Sequence, residues 1–472
     1  MKQSYCSLII LCLIIPVFTL PTKSQTSNGY QSPKEIRMWT TTADKKDLLT
    51  PSGINITYWD EFIPVIIIDS AKLYQRMDGF GFTLTGGSAS LINKMENSAK
   101  DLLLKELFSK SDSGISVSYL RISMGASDLS HDLFSYDDLD EESEDLNLAH
   151  FSLSHDTTDL IPVLKKIIKL NPDLKIMASP WSPPLWMKSN KNSVGGYLLP
   201  EYYEVYAAYF VKYIDEMKKN GIPIEAVTIQ NEPQHGGNNP SMLMSATQQA
   251  DFIKNHLGPG FEHAGIKTSI VIWDHNCDQY QYPLSILNDP QANKYVDGSA
   301  FHLYAGDISA LSLVHDAFPD KNIYFTEQWT DGNGTFGTDL KWHTRHVVIG
   351  SSRHWSKVIL EWNLANDATY NPHTEGGCSS CQGALTIENN VYTRNVSYYI
   401  IGHISRFVPA GSVRISSSLI ESVPNVAFLT PTGQKVLLMM NEAKVPKRVN
   451  VRQGKRTFVT EMKPESVNTF VW

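Results

Sequence analysis

Two glutamates, Glu232 and Glu327, each close a short apolar run. The first run is Ala226-Val227-Thr228-Ile229-Gln230-Asn231-Glu232-Pro233, the second Asn322-Ile323-Tyr324-Phe325-Thr326-Glu327-Gln328-Trp329. Both read as buried strands that stop at a carboxylate followed by loop residues. Two carboxylates delivered to one mouth suffice to cleave a glycosidic bond: one protonates the leaving oxygen while the other attacks the anomeric carbon. Glu232 suits the acid/base, because partial burial beside a second carboxylate raises a carboxyl's pKa. Asn231 beside it offers an amide to a sugar hydroxyl. Glu327 suits the nucleophile, with Trp329 as an apolar platform for a sugar ring. Taken singly, each glutamate reads equally well as a rim residue capping its strand; the pairing favours the chemical reading.

Other strand ends carry matching chemistry. Trp181 and Trp186 flank Ser182-Pro183-Pro184, His302 and Tyr304 end another run, and Trp362-Asn363 ends a further one. Sugar sites combine aromatic walls with convergent hydrogen-bonding groups. Arg121, the only charge in Tyr119-Leu120-Arg121-Ile122-Ser123, needs a carboxylate if buried. Either a catalytic glutamate or a structural ion pair would satisfy it. No cofactor or metal is expected. The 14 histidines include no His-Glu-x-x-His, and Gly79-Phe80-Gly81 with Gly86-Gly87 lacks the dinucleotide fingerprint.

These groups must be held by a scaffold with many strand ends on one face. Between about residues 75 and 405, short apolar runs alternate with amphipathic helical stretches. Eight runs qualify as strands: Gly79–Leu84, Val117–Ser123, Leu174–Trp181, Glu225–Pro233, Ser269–Asn276, Gly298–Gly306, Asn322–Trp329 and Lys357–Ala365. That number closes a parallel (β/α)8 TIM barrel, an α/β fold whose functional residues gather at the C-terminal strand ends. Helices are expected over Thr157–Leu170 and Glu201–Asn220. A doubly wound sheet would show similar alternation, but the functional residue closing nearly every run favours the barrel. The flanking segments, 25–74 and 406–472, are short strands separated by turn residues and predict a β-sandwich built from both ends of the chain. Among its runs are Ile54–Tyr58, Val65–Ile68, Val413–Ile415, Val426–Leu429, Val436–Met440 and Arg456–Val459.

Composition limits the partners. The 472 residues carry a formal charge of −8 and show no basic patch, which argues against nucleic acid. Residues 1–24 read as a secretory signal: Lys2, an apolar stretch from Leu8 to Leu20, then small residues before a cut after Ser24. A lipidated Cys12 is the weaker alternative because Leu11 is too bulky for that signal. No later stretch is long enough for a membrane span, so export is expected. In an exported chain Cys378 and Cys381 most simply form a local disulfide; a redox motif or part of a zinc site are the alternatives. Cys277 is expected to be a buried free thiol. Sequons occur at Asn55, Asn333 and Asn395.

Six ordered motifs resemble glycoside hydrolase family 30, which includes the glucosylceramidases. They are Met77-Asp78-Gly79-Phe80-Gly81, Tyr119-Leu120-Arg121-Ile122-Ser123, Ala178-Ser179-Pro180-Trp181-Ser182-Pro183, Gln230-Asn231-Glu232-Pro233, Phe301-His302-Leu303-Tyr304 and Thr326-Glu327. The resemblance runs from about residue 35 to the end. It implies a (β/α)8 barrel with an attached β-sandwich and cofactor-free retaining hydrolysis, with Glu232 as acid/base and Glu327 as nucleophile. Arg121, Trp181, Asn231, Tyr304 and Trp362 match its sugar-lining positions. Glucosylceramidases carry an aspartate in the first-strand loop where this chain has Gly86, which implies a lost sugar contact. The Gly376–Gly383 loop is more similar to bacterial polysaccharide-degrading members, including endo-β-1,6-glucanases. β-1,6-glucan or another β-glucan is therefore the implied substrate, the alternatives being a glucosylceramidase, another family-30 β-xylosidase or β-galactanase, or a carbohydrate-binding barrel without catalysis.

Overall fold

The computed structural model describes residue 1 and residues 35–54, 62–110, 114–140 and 143–472. The expected signal segment, the sequon at Asn55 and most of the Ile54–Tyr58 run lie outside the described residues.

Eight parallel strands close into a barrel: Gly79–Leu84, Tyr119–Ser123, Lys175–Ser179, Ala226–Thr228, Ser269–Asn276, Val296–His302, Asn322–Glu327 and Ser356–Asn363, with the eighth paired to the first. Closure excludes the doubly wound alternative. All eight expected runs form strands, but the fourth is shorter than its sequence suggests: its ladder ends at Thr228, four residues before Glu232. The expected helix from Thr157 is divided at Asp159 into Ser154–Thr158 and Leu160–Leu170. The second expected helix spans Tyr203–Lys219 and buries Tyr206, Phe210, Tyr213 and Met217.

Strand periodicity explains how an apolar scaffold carries a polar site. Tyr119, Met177, Ala226, Val271, Ala300, Tyr324, Val358 and Leu360 pack together as a buried cluster inside the barrel. Because strand side chains alternate faces, the residue two positions on also points inward, one layer nearer the C-terminal mouth. Those residues are Arg121, Ser179, Thr228, His302, Thr326 and Trp362. An apolar floor thus carries a polar layer. The fifth strand reaches this layer differently. Its register shifts between Trp273 and His275, and Trp273 and Asp274 have φ of 74° and 64°. This bulge re-phases the strand and aims Asp274 inward.

The second core belongs to a nine-stranded sheet drawn from both ends of the chain. Val65–Arg76 spans its two parts. Residues 65–67 pair in parallel with Lys447–Gln453, and residues from Ile68 onward pair antiparallel with Val413–Ser417. Arg37–Thr42 pairs along its whole length with Ser466–Val471. Four strands of this sheet escape the sequence reading: Arg37–Thr42, Thr50–Ser52, Lys447–Gln453 and Ser466–Val471. Their Thr, Asn and Arg residues disguise them, yet several of these are buried. Thr40 donates to Asn468 at 2.9 Å, and His403 of the helix Val396–Ser405 bridges Thr469 at 2.9 Å and Thr41 at 2.8 Å. A polar seam therefore joins the sandwich to the barrel's last helix.

One buried acid ties stability to pH. Burial pushes Asp156 up to about 7 against the pull of the Tyr136 hydroxyl, which donates to it at 2.6 Å. Between about pH 4 and that value, native Asp156 keeps a proton that the unfolded chain has released. Its contribution to stability therefore falls as pH rises through this window and is flat above it. Asp156→Asn keeps an acceptor for Tyr136 and removes the ionisation. The variant should gain on the wild type by a few kcal/mol between pH 5 and 8, because each tenfold change in proton affinity is worth about 1.4 kcal/mol. Melting temperatures across that range check it; parallel curves for the two proteins refute it.

Candidate active site

The polar layer is organised around two buried groups, Arg121 and Asp274, both fully excluded from solvent. Arg121 Nη1 donates to Glu327 at 2.5 Å, Nη2 to Asn231 at 2.6 Å and to Asp274 at 2.8 Å, and Nε to Ser179 at 3.0 Å. Its guanidinium lies 4.7 Å from the Trp181 ring centroid and 5.7 Å from that of Trp362. Both partners expected from sequence are present: a strand-end glutamate and a structural carboxylate. Asp274 also accepts from Thr228 at 2.8 Å and Thr326 at 2.7 Å. Its carbonyl takes the Glu232 N–H at 3.0 Å.

That last bond shows how Glu232 is aimed. Beyond Thr228 the chain leaves the ladder, Asn231 N–H bonds the Pro180 carbonyl at 2.8 Å, and Glu232 adopts φ 46°. A non-glycine residue in that region is strained and persists only where its surroundings hold it. Here flanking backbone bonds hold it and turn the carboxyl toward Glu327. Oxygens of Glu232 and Glu327 and a nitrogen of His302 lie within 4.8 Å of one another. That spacing fits the roughly 5–5.5 Å of a retaining pair and leaves no room for the water of an inverting one, which needs about 6.5–9.5 Å. Among the described residues this trio is the one cluster that could surround a cation. However, Arg121 already supplies the positive charge to Glu327, and both imidazole nitrogens of His302 face carboxylates.

Glu232 and Glu327 line a cavity of about 280 Å³ with Asp128, Trp181, Tyr304, Trp329 and Trp362. The Cys378–Cys381 disulfide forms part of its wall. On the side of Glu232 the lining is polar: His235, Asn238, His275 and Asn276. Asn238 donates to Glu232 at 3.3 Å, and the Tyr304 hydroxyl donates to Glu327 at 3.0 Å.

Not every residue singled out from sequence faces this space. Arg121, Asn231, His302 and Asn363 lie behind the cavity wall. Asn231 has committed its Oδ1 to Arg121, leaving Nδ2 as the group able to address a ligand. Asn363 accepts from Ser88 at 2.8 Å and Thr85 at 3.2 Å. His302 is fully buried, with Nδ1 3.2 Å from Glu232 and Nε2 3.2 Å from Asp274. It bridges the two carboxyls and does not line the cavity. Trp186 turns away, its indole donating to the Asp137 carbonyl at 3.0 Å.

Electrostatics follow from this packing. Burial disfavours charge on His302, but Glu327, Asp274 and Glu232 outweigh it and lift the imidazole to about 9. Asp274 is held far below the usual carboxylate range: Arg121, His302 and Thr326 overcome its burial. Burial pushes His275 down to about 4, so it stays neutral beside Glu232. Burial and the charges of Glu327 and Glu232 push Asp128 up to about 7. Glu232 and Glu327 titrate as a pair. Burial lifts Glu327, whereas at Glu232 burial is outweighed by the His302 hydrogen bond and the imidazole charges around it taken together, which lower it. The direct donors argue the other way. Glu327 receives both the guanidinium and the Tyr304 hydroxyl, two contacts that favour its anion, so the shared proton belongs on Glu232. Removing the imidazolium with His302→Gln should raise both carboxyls and move both limbs of the pH profile of kcat/KM upward by about one pH unit. A profile that stays fixed or moves to lower pH contradicts this role for His302.

The model of the glycosyl hydrolase family 30 TIM-barrel domain matches residues 77–408, and that of the family's β-sandwich domain matches residues 411–470. The chain belongs to glycoside hydrolase family 30. It is a retaining glycoside hydrolase with the fold the motifs imply. An endo-1,6-β-D-glucanase of Aspergillus fumigatus is 34% identical over 394 residues, 78% of each chain. The lysosomal acid glucosylceramidase of Mus musculus is 27% identical, covering 86% of this chain and 83% of its own. A solved endo-β1,6-glucanase superposes with a TM-score of 0.85 at 34% identity, covering 93% of this chain and 99% of its own.

Gly86 contributes no carboxylate, as its identity implies, but a different one enters the cavity. Gly86 lies in a helix after the first strand, beside Ser130, whereas Asp128 brings a carboxyl into the cavity from the second-strand loop. Its signal was legible: Asp128 is the only charge between Arg121 and His131. Asp274 was hidden because the bulge breaks the strand's alternation. Of the sequons, Asn333 is exposed, whereas Asn395 is tied into the structure, its Nδ2 donating to the Gly383 carbonyl at 2.8 Å and to Thr386 at 2.9 Å. Cys277 is a buried free thiol, as expected.

Proposed function

We propose that this chain hydrolyses β-1,6-linked glucan outside the cytoplasm, with Glu327 as nucleophile and Glu232 as acid/base. The observation that carries the assignment is the pair's asymmetry. Glu327 is gripped at 2.5 Å by a guanidinium and at 3.0 Å by a phenol that favour its anion, while Glu232 shares the more distant His302 imidazolium, at 3.2 Å, with Asp274 and otherwise faces the amide of Asn238 and the neutral imidazole of His275. Ionised Glu327 attacks the anomeric carbon as Glu232 gives its proton to the departing oxygen. Glu232 then takes a proton from water, which releases the sugar from Glu327 with its configuration retained. Trp181, Trp329 and Trp362 offer faces to the ring being cleaved, and Asp128 offers a carboxyl to its hydroxyls.

The leaving-group side argues for a sugar rather than a hydrocarbon. His235, Asn238, His275 and Asn276 present donors and acceptors where the group bonded to the scissile oxygen must sit. A glucosyl unit can satisfy them; an alkyl chain would leave them unpaired, at a cost of about 1–3 kcal/mol each. The relatives named as endo-1,6-β-glucanases support the same linkage. Export rests on the N-terminal segment, and no helix among the described residues is long and apolar enough to cross a membrane.

The test supplies linear β-1,6-glucan, an aryl β-glucoside and glucosylceramide in parallel, with the first-formed anomer followed by NMR. Cleavage of the glucan with β-anomers appearing first is the expected result. Turnover of glucosylceramide with the glucan untouched would overturn the substrate, and first-formed α-anomers would overturn the roles of the pair.

A further inference from the structure

The Cys378–Cys381 disulfide is the one feature of the cavity wall that the reaction does not use. Cys381 packs with Leu129, Trp181 and Trp362, and Cys378 and Trp329 lie against the same cluster. The segment around it is tied to three other loops of the mouth. Thr374 N–H and Oγ1 both donate to the Asp128 carbonyl, at 2.9 and 3.2 Å, and the Cys378 N–H favours the Asp128 carboxylate. Thr374 Oγ1 also lies 2.6 Å from the Asn239 carbonyl, and Asn239 Nδ2 donates to the Glu375 carbonyl at 2.9 Å. On the other side, Gly332 N–H bonds the Ser380 carbonyl at 2.8 Å, and Thr330 and Asp331 pair with Gln382 and Cys381.

These ties join loops that carry cavity residues; Glu232 shares the fourth-strand loop with Asn238, but the backbone around it is fixed upstream by the Pro180 and Asp274 carbonyls. Asp128 belongs to the second-strand loop, Asn238 to the fourth, and Trp329 leads into the hairpin of the seventh. The Glu232–Glu327 geometry is held separately, by Arg121, Asp274 and His302 beneath it. We propose that the Cys378–Cys381 disulfide is a positioning clasp for substrate: it holds Asp128 and the tryptophan wall in register with the cleavage pair, so that opening it weakens sugar binding and spares bond cleavage. The inference rests on the proposed glycan site but not on which β-glucoside fills it.

A dithiol such as dithiothreitol opens the clasp. Its thiolate attacks one sulfur, the Cys378–Cys381 bond breaks, and two electrons and two protons pass from the reagent, which closes into its own cyclic disulfide. The described free thiol, Cys277, is buried with its Sγ 3.2 Å from the His302 carbonyl, so reduction followed by alkylation reports on the pair. The experiment measures kcat and KM of the full chain on an aryl β-glucoside and on β-1,6-glucan, before and after reduction, with alkylation followed by mass. KM should rise about ten-fold on whichever substrate turns over, the equivalent of one lost hydrogen bond, with kcat within about two-fold. A Cys378→Ser/Cys381→Ser variant should show the raised KM without dithiol and no further change with it. If that variant does not fold by circular dichroism, the reduced and alkylated wild type carries the test. An unchanged KM after complete alkylation, or a fall in kcat alone, overturns the clasp. Failure to cleave the glucan, with the aryl glucoside still responding to reduction, overturns only the substrate.

Discussion

With alanine in place of Glu327, turnover of an aryl β-glucoside should fall by about five orders of magnitude, the scale seen when a covalent nucleophile is removed. Azide then distinguishes the two glutamates. In Glu327→Ala the vacated space lies on the α face of the sugar, so azide entering there displaces an activated leaving group in one step and gives the α-glycosyl azide. In Glu232→Ala the nucleophile remains. It still forms the glycosyl-enzyme with a leaving group that needs no proton, and azide attacks that intermediate from the opposite face to give the β-glycosyl azide. The anomeric configuration of each product, read by NMR, checks both assignments. Products of the reversed configurations would exchange the roles, and near-normal rates for Glu327→Ala would remove it from the reaction.

The second large effect belongs to Arg121. It is the shared partner of Glu327, Asp274 and Asn231, beneath two tryptophans and out of contact with solvent. Arg121→Ala leaves two carboxyls buried without their cation, a defect worth about 3–5 kcal/mol of stability. What folds should also lose on the order of 10²–10³ in kcat, because Glu327 then holds a proton in the pH range where it must attack. Arg121→Lys keeps the charge but cannot reach three acceptors with one rigid fork. It should fold with a smaller drop in melting temperature and still lose kcat. Calorimetry and kinetics on the two variants separate support of the fold from support of the anion. A lysine variant with wild-type kcat would show that charge alone suffices.

Glu232, Glu327, Arg121 and the tryptophans were legible because each is a rare residue type at the end of an apolar run, where a packed interior has no other use for it. The eight barrel strands were legible for the same reason: parallel strands buried on both faces read as continuous apolar segments. Asp274 and His302 were harder, since what matters in them is which way they point. A bulge with two residues at positive φ re-aims Asp274, and alternation counted from Ala300 turns His302 beneath the sugar rather than toward it. Asp128 lies in a loop with no periodicity to betray its direction. Two of the missed sandwich strands are polar because Thr41 and Thr469 bond His403 of the barrel's last helix and Thr40 bonds Asn468 within the sheet, contacts that a search for apolar runs passes over.

That seam bears on how the molecule is made. Thr40 and Asn468, bonded to each other, are separated by 428 positions along the chain. During synthesis the strand Arg37–Thr42 emerges long before Ser466–Val471, and that edge stays unpaired until its mate is made. A stop before Ser466 would therefore leave the distant strand Arg37–Thr42 without its mate, and expose a row of unmet amides able to recruit neighbouring molecules.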